Sequence, residues 1–370
     1  MVSQKIDPIR ISARKDEINL EDSKTYVNVA VAVIHYHNEY LLGFRDIAQH
    51  QGNRYEFVGG KIETDETAKQ ALIREVSEET GIDIDSNVSI KLGRLYHDYG
   101  DKQVCLHVYK VALTTLQYEK HRYFKQGLEG QALTWVDKSK LLARAYPLPA
   151  ANKTILDWLR LPEQITITYP LTHFNSSEDP KSAWLQYHTA DLTRDAWVYI
   201  RLKASEVENT AEQLLRERSD IYAILPDSAN HSEDNERAIN QRIIAKHLTH
   251  SEVMRWSSSL QRSHELDYQP SKSHPLIVSC HNADSIHAAN QLARARLQQQ
   301  LPPVIGIFLS PVLATQTHPE TAPLSWQAWS KLAVLADMPV IALGGLSPEM
   351  RTQAEQYGGT AVAGIRQFFQ

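Results

Sequence analysis

Three glutamates stand within five residues, Glu75, Glu78 and Glu79, in the stretch GGKIETDETAKQALIREVSEETGI that runs from Gly59 to Ile82. On a helix, offsets of three and four return to the same side, so these carboxylates share one face. Like charges so spaced repel by a few tenths of a kcal/mol per pair and raise one another's pKa unless a cation sits among them. An all-oxygen ligand set selects a hard ion, Mg²⁺ or Mn²⁺. Mg²⁺ keeps several waters and bridges phosphate oxygens, so the chemistry implied is metal-assisted work on a nucleotide di- or triphosphate. Arg74 can pair with a carboxylate and hold it in orientation, and Gly59 and Gly60 let backbone carbonyls come close to a metal. The competing reading is a solvated acidic helix face.

The elements that must position these groups can be read around them. YVNVAVAVIHYHNEYLLGFRD holds two β-branched runs split by a turn and predicts a hairpin; NRYEFVGGKIE predicts a strand running into a glycine turn. DETAKQALIREVSEETG predicts a helix with an apolar stripe of Ala68, Leu72 and Val76 and with Gly81 as its stop. Strands are expected in VSIKLGRLYHDY and KQVCLHVYKVAL, followed by a polar loop, the segment ALTWVDKSKLL and a closing helix ANKTILDWLRL. These make an α+β domain with a mixed sheet between helices over residues 25–161, after an N-terminal arm of residues 1–24. From residue 162 to 370 eight short apolar strands alternate with helix-like segments: ITITYPLT, AWVYIRLK, IYAILPD, RIIAKHLT, LIVSCHN, VIGIFLSPV, PVIALGG and GTAVAGIRQF. Eight parallel strands predict a TIM-type (βα)8 barrel; a doubly wound open sheet is the alternative.

Composition narrows the setting. The chain of 370 residues is 42% hydrophobic and 22% charged, in the range of a two-domain globular protein. A net charge of -5 argues against a nucleic-acid polymer as partner and leaves a local pocket for a small phosphorylated ligand. The two cysteines, Cys105 and Cys280, lack metal-ligand spacing and predict no disulfide framework. The N-terminus has no apolar signal core and the longest apolar run, VNVAVAVI, is too short for a bilayer; a cytoplasmic protein with no membrane partner is expected.

The acidic stretch resembles the Nudix box. Gly60, Glu66, Arg74, Glu75, Val76, Glu78, Glu79, Gly81 and Ile82 fill every specified place of that pattern, in the strand, turn and helix context it requires. The resemblance implies a hydrolase of a nucleoside diphosphate linked to another moiety, with Mg²⁺ (or Mn²⁺) as cofactor and Glu75, Glu78 and Arg74 as catalytic residues. It also implies metal ligation by Glu75, Glu78 and Glu79 with the Gly60 carbonyl. Flanking residues resemble the MutT type, which converts 8-oxo-dGTP to the monophosphate and pyrophosphate. Arg45 matches its phosphate-contacting arginine, Phe57 its base-pocket phenylalanine, Glu129 an additional carboxylate near the metal and Asn152 an asparagine that reads the purine edge; Lys61 joins them as a substrate-binding candidate. Val58, where a proline is expected, and Lys102, where an arginine is expected, depart from that type. Another nucleotide or a thiamine-related pyrophosphate as substrate, or a nucleotide-binding regulator without catalysis, are the alternatives.

YIRLK, AKHLT, VSCHNADS, LSPVLATQTHP and VIALGGLSPE resemble the thiamine-phosphate-synthase and TenI family of barrels. The resemblance implies a ligand at the C-terminal ends of the strands, with phosphate held by the last loops. The candidate residues are Arg201, Lys203, His281, Thr315, Thr317, Gly344, Gly345 and Gly364. Tyr199 stands where the synthases carry glutamine, and the acidic metal positions have no clear counterpart in AKHLTHSEV. A scaffold or ligand sensor stays open beside a second enzyme.

Overall fold

The computed structural model describes residues 26–47, 52–100, 102–228, 237–261, 268–315 and 322–369. The N-terminal arm and Thr317 lie outside the described residues. The first domain is a seven-stranded mixed sheet of β1 (Val27–Tyr36), β2 (Glu39–Arg45), β3 (Arg54–Glu56), β4 (Val58–Lys61), β5 (Ser89–Asp98), β6 (Gln103–Ala112) and β7 (Ala132–Asp137). β1 is its hub: antiparallel to β2 and β4, parallel to β6. β5 closes one side on β6, and β7 pairs with β2. Four helices accompany the sheet: α1 (Ala68–Thr80), α2 (Thr115–His121), α3 (Lys138–Leu142) and α4 (Asn152–Leu159).

α1 forms where its ends are specified. Thr67 and Gln70 make a reciprocal capping box, and Gly81 ends the helix in the left-handed region at φ 71°, its N–H donating to the Ser77 carbonyl. The buried face, Ala71, Leu72 and Val76, packs on one side of the sheet against Ala30, Ala32, Ile34 and Val58. Burial of Leu72 and Val76 stabilises the pairing by about 1.5–3 kcal/mol each. The other side of the sheet packs against α4.

Two expectations need correction. Gly59 and Gly60 form no turn: they lie within β4, opposite Val31 and Ala30. The reason is close approach, because a Cβ on Gly59 would sit 2.1 Å from the Ala30 carbonyl oxygen and Gly59 has φ +150°. The segment before β7 is also not all loop. Thr114 and Gln117 make a second capping box that starts α2.

The second domain is a closed barrel of eight parallel strands: β8 (Gln164–Ile167), β9 (Trp197–Tyr199), β10 (Tyr222–Pro226), β11 (Ile243–Leu248), β12 (Leu276–Cys280), β13 (Val304–Leu309), β14 (Val340–Leu343) and β15 (Ala361–Gly364). Around it lie α5 (Pro180–Asp191), α6 (Ala204–Glu217), α7 (Arg237–Asn240), α8 (His250–Gln261), α9 (Ala283–Gln298), α10 (Ser325–Ala333) and α11 (Arg351–Gln356). Every segment expected to be a strand is one, and β15 pairs with β8 to close the ring, so the open-sheet alternative is excluded.

The two domains share one apolar core that runs from Val31, Leu92 and Leu106 through Trp158 and Leu159 to Val304, Ile307 and Met338. The first domain docks on the end of the barrel where the strands begin. The Trp158 indole N–H donates to the Val304 carbonyl at 3.2 Å, and the Lys91 ammonium donates to the Val334 carbonyl at 2.7 Å. Asp337, in the connection from α10 to β14, pairs with Arg94 of β5, and its backbone carbonyl accepts from the Arg94 N–H at 3.2 Å. Arg294 of α9 lies 3.7 Å over the Tyr96 ring. Among the described residues no helix is long and apolar enough to cross a membrane.

Candidate active site

β4 and α1 bring the acidic residues together around Arg74. Its guanidinium reaches Glu66 at 2.5 Å, Glu75 at 2.8 Å and Glu78 at 3.0 Å, and also donates to the Lys61 carbonyl at 3.0 Å. This holds Glu66 below the usual carboxylate range, mainly through its hydrogen bond to Arg74. Glu79 faces the other way, towards the sheet, and accepts from the Gly59 N–H at 3.1 Å and the Gln131 amide at 3.3 Å. Burial pushes Glu79 up to about 7, with Glu56 and Glu129 adding repulsion. Burial also raises Glu75, against the pull of Arg74.

Among the described residues no group of three or more His, Cys, Asp or Glu side chains is already arranged to hold a metal ion. Arg74 accounts for this, since its guanidinium draws Glu75 and Glu78 to itself. The residues nonetheless fit a divalent cation. The donors are all oxygen, and Glu75 and Glu79 lie half-buried with raised affinity for protons, which is the state of carboxylates short of positive charge. Gly60 lies directly against Glu75: a Cβ there would sit 2.2 Å from its carboxyl carbon. Glu78, whose side chain is 52% exposed, can leave Arg74 with little reorganisation.

Glu129, in the exposed loop after α2, lies close enough to Glu75 and Glu79 to repel both. That loop is tied to α1 through the Leu128 N–H, which donates to the Glu79 carbonyl at 2.8 Å. Sequence reading missed Glu56 and Gln131. Glu56, raised to about 7 by burial, bonds Arg45 at 3.0 Å and sits beside Glu79. The available signal was a lone carboxylate in the strand entering the acidic stretch.

Arg45 therefore meets Glu56 across the β2–β3 pairing, while Lys61 ends β4 exposed. Phe57 is 3% exposed, in the same apolar cluster as Ala151, Ile155 and Leu156 of the α4 region. Asn152 is the first residue of α4 and 7% exposed; Ala151 is the N-cap, and no side-chain cap bond forms, so the amide is not a helix cap.

In the barrel, the strand ends carry a second cluster. His281 follows β12, and its Nδ1 lies 2.9 Å from the Ser310 carbonyl oxygen. A carbonyl only accepts, so Nδ1 carries a proton, and in the neutral imidazole Nε2 is the nitrogen with the lone pair. The His250 ring lies tilted against His281, with centroids 5.1 Å apart. His247 is buried on β11, 2.8 Å from the Ser279 hydroxyl and 4.4 Å from the Tyr199 ring, and burial lowers it to about 3. Arg201 and the exposed Lys203 follow β9, and Thr315 ends the described part of the loop after β13. The glycines have packing reasons. A Cβ on Gly344 would sit 2.7 Å from Pro311, on Gly345 2.6 Å from the Ala314 carbonyl and on Gly364 2.4 Å from the Phe368 ring.

Residues 29–158 match the NUDIX domain family and residues 276–368 the thiamine monophosphate synthase family. An 8-oxo-dGTP diphosphatase of Proteus vulgaris is 37% identical over 89 residues, covering 24% of this chain and 78% of that protein. A CTP pyrophosphohydrolase of Escherichia coli (strain K12) is 32% identical over 133 residues, or 35% of this chain and 89% of that protein. An 8-oxo-dGTP diphosphatase of Escherichia coli (strain K12) is 32% identical over 136 residues, 36% and 98% of the two chains. The solution structure of the E. coli ORF135 protein is similar at 30% identity and a TM-score of 0.30, over 36% of this chain and 89% of that one.

Proposed function

The chain belongs to the Nudix family through its N-terminal domain, and on that premise we propose that it is a Mg²⁺-dependent nucleoside triphosphate pyrophosphohydrolase of the 8-oxo-dGTP type. Water attacks the phosphoanhydride, the bond between the α- and β-phosphates breaks, and a nucleoside monophosphate and pyrophosphate leave. A divalent cation held by Glu75, Glu78 and Glu79, with the Gly60 carbonyl and Glu129, would polarise the phosphoryl oxygens and lower the pKa of water. Arg74 orients Glu75 and Glu78, Glu75 accepts the proton of the attacking water, and Arg45 and Lys61 meet phosphate charge. Phe57 and Asn152 form the base pocket, the amide donating and accepting at one purine edge.

The observation that carries the reading is the pair of half-buried, proton-hungry carboxylates, Glu75 and Glu79, packed against glycines whose Cβ positions they or the backbone occupy. The test is purified protein with Mg²⁺ offered 8-oxo-dGTP, dGTP, CTP, ADP-ribose, coenzyme A, dinucleoside polyphosphates and thiamine pyrophosphates, with products identified. Turnover of none, or turnover untouched by Glu78→Gln, removes the hydrolase assignment. A second substrate reading, a pyrimidine triphosphate, is favoured by the CTP pyrophosphohydrolase relative, and Val58 and Lys102 depart from the 8-oxo-dGTP type. For the barrel we propose a phosphorylated small ligand at the strand ends, with His281 Nε2 as its proton acceptor.

A further inference from the structure

Asn152 stands at one end of α4 and Trp158 near the other, and the far end is anchored in the barrel. The Trp158 indole donates to the Val304 carbonyl at the start of β13. Trp158 and Leu159 are both buried within the core that the two domains share. The near end is held by β5. The Ala151 N–H, one residue before Asn152, hydrogen-bonds to Tyr99, the residue that directly follows β5.

β5 is itself held by the barrel. Its register shifts between Lys91 and Gly93, and the barrel packs against that bulge. A Cβ on Gly93 would sit 2.4 Å from the Asp337 carbonyl oxygen and 2.7 Å from the Trp158 ring, so only glycine admits both. Next to it Arg94 pairs with Asp337, whose side chain is 2% exposed. Asp337 does not drift, because its N–H donates to the Asn290 side chain at 2.9 Å and Asn290 in turn donates to the Leu335 carbonyl at 2.9 Å. Arg294 covers the pair, 3.7 Å from Asp337 and stacked on Tyr96.

We propose that the strand-start end of the barrel is a positioning element for the nucleotide pocket, in which Val304 and Asp337 hold α4 and β5, and through them set Asn152 against the base. The proposal rests on the nucleotide-hydrolase reading above for its substrate, but not for its structural content. A helix of eight residues is about 12 Å long and moves as a rigid rod, so slack at Trp158 appears at Asn152. None of Trp158, Arg94 or Asp337 touches substrate. Each would act on the base and leave unmoved the carboxylates of α1, which packs on the opposite side of the sheet from α4.

The test uses the full chain with Trp158→Phe, Asp337→Asn and Arg94→Gln. Each variant is expected to raise KM for the best nucleotide about tenfold, with kcat within about twofold of the parent. A role limited to general stability would instead lower the folded fraction and leave the KM of the folded enzyme alone. Unchanged KM in all three, or a fall in kcat with KM constant, overturns the proposal. Should Asp337→Asn or Trp158→Phe fail to fold, Arg94→Gln carries the test, since its side chain is 34% exposed. Hydrogen exchange supplies a readout that needs no turnover: amides of α4 are expected to exchange faster in each variant while those of α1 do not. If the parent hydrolyses no nucleotide, the functional reading fails and exchange alone decides. Faster α4 exchange then sustains the positioning role, and unchanged exchange removes it.

Discussion

Arg74 grips Glu66, Glu75 and Glu78 at once, and this ordering ranks the carboxylates by what each can do. Glu78 is the exposed member and the easiest to hand to a cation. Glu78→Gln is expected to lower kcat at least about 100-fold with the fold intact, measured under saturating substrate and Mg²⁺. Glu79 is different, because its raised pKa penalises the charged form. An acid whose folded pKa lies above its unfolded value loses stability as pH rises from about 4.5 to about 7. Without divalent cation, Glu79→Gln is therefore expected to be the more stable protein at pH 8, by about 1–2 kcal/mol after screening, and to match the parent at pH 4. Urea melts in a chelator check this; equal midpoints at pH 8 would refute it. The spacing of Glu75, Glu78 and Glu79 was legible because helical periodicity is local. Glu56 and Gln131 were not, since β3 and the loop before β7 bring them to Glu79 from distant parts of the chain.

The element that joins sequence to site is β4 with its two glycines, and they predict opposite outcomes. A methyl on Gly59 meets the Ala30 carbonyl at 2.1 Å, a backbone atom held in the sheet, whereas one on Gly60 meets the movable carboxylate of Glu75 at 2.2 Å. Gly59→Ala should cost more than about 2 kcal/mol in stability. Gly60→Ala should melt within a few degrees of the parent yet lose activity about 100-fold, because Glu75 is pushed from its place. Paired melting curves and assays distinguish the two. Reading this segment as a turn followed from the usual use of glycine pairs. What the sequence pattern could not display is that Val31 and Ala30 lie opposite. The helix α1 was legible from its own caps, and α2 carries the same kind of signal in Thr114 and Gln117. The barrel strands were legible because each is an apolar run between polar segments, and buried parallel strands need that pattern.

At the scale of the whole molecule, the shared core makes the two domains one cooperative body. Calorimetry of the parent is expected to give a single transition, and Gly93→Ala, which forces Asp337 and the Trp158 ring apart, is expected to split it into two. A single transition at an unchanged temperature in the variant would count against that coupling. This docking was invisible in sequence because Gly93, Trp158 and Asp337 are far apart along the chain and none belongs to a motif. The first domain occupies the end of the barrel where strands begin, while Tyr199, His247, His281 and Ser310 gather where they finish. The length of the barrel therefore lies between the first domain and that cluster. A molecule released at one is expected to be captured by an added scavenging enzyme before it reaches the other; retention of product between the two in that competition would count against such a separation.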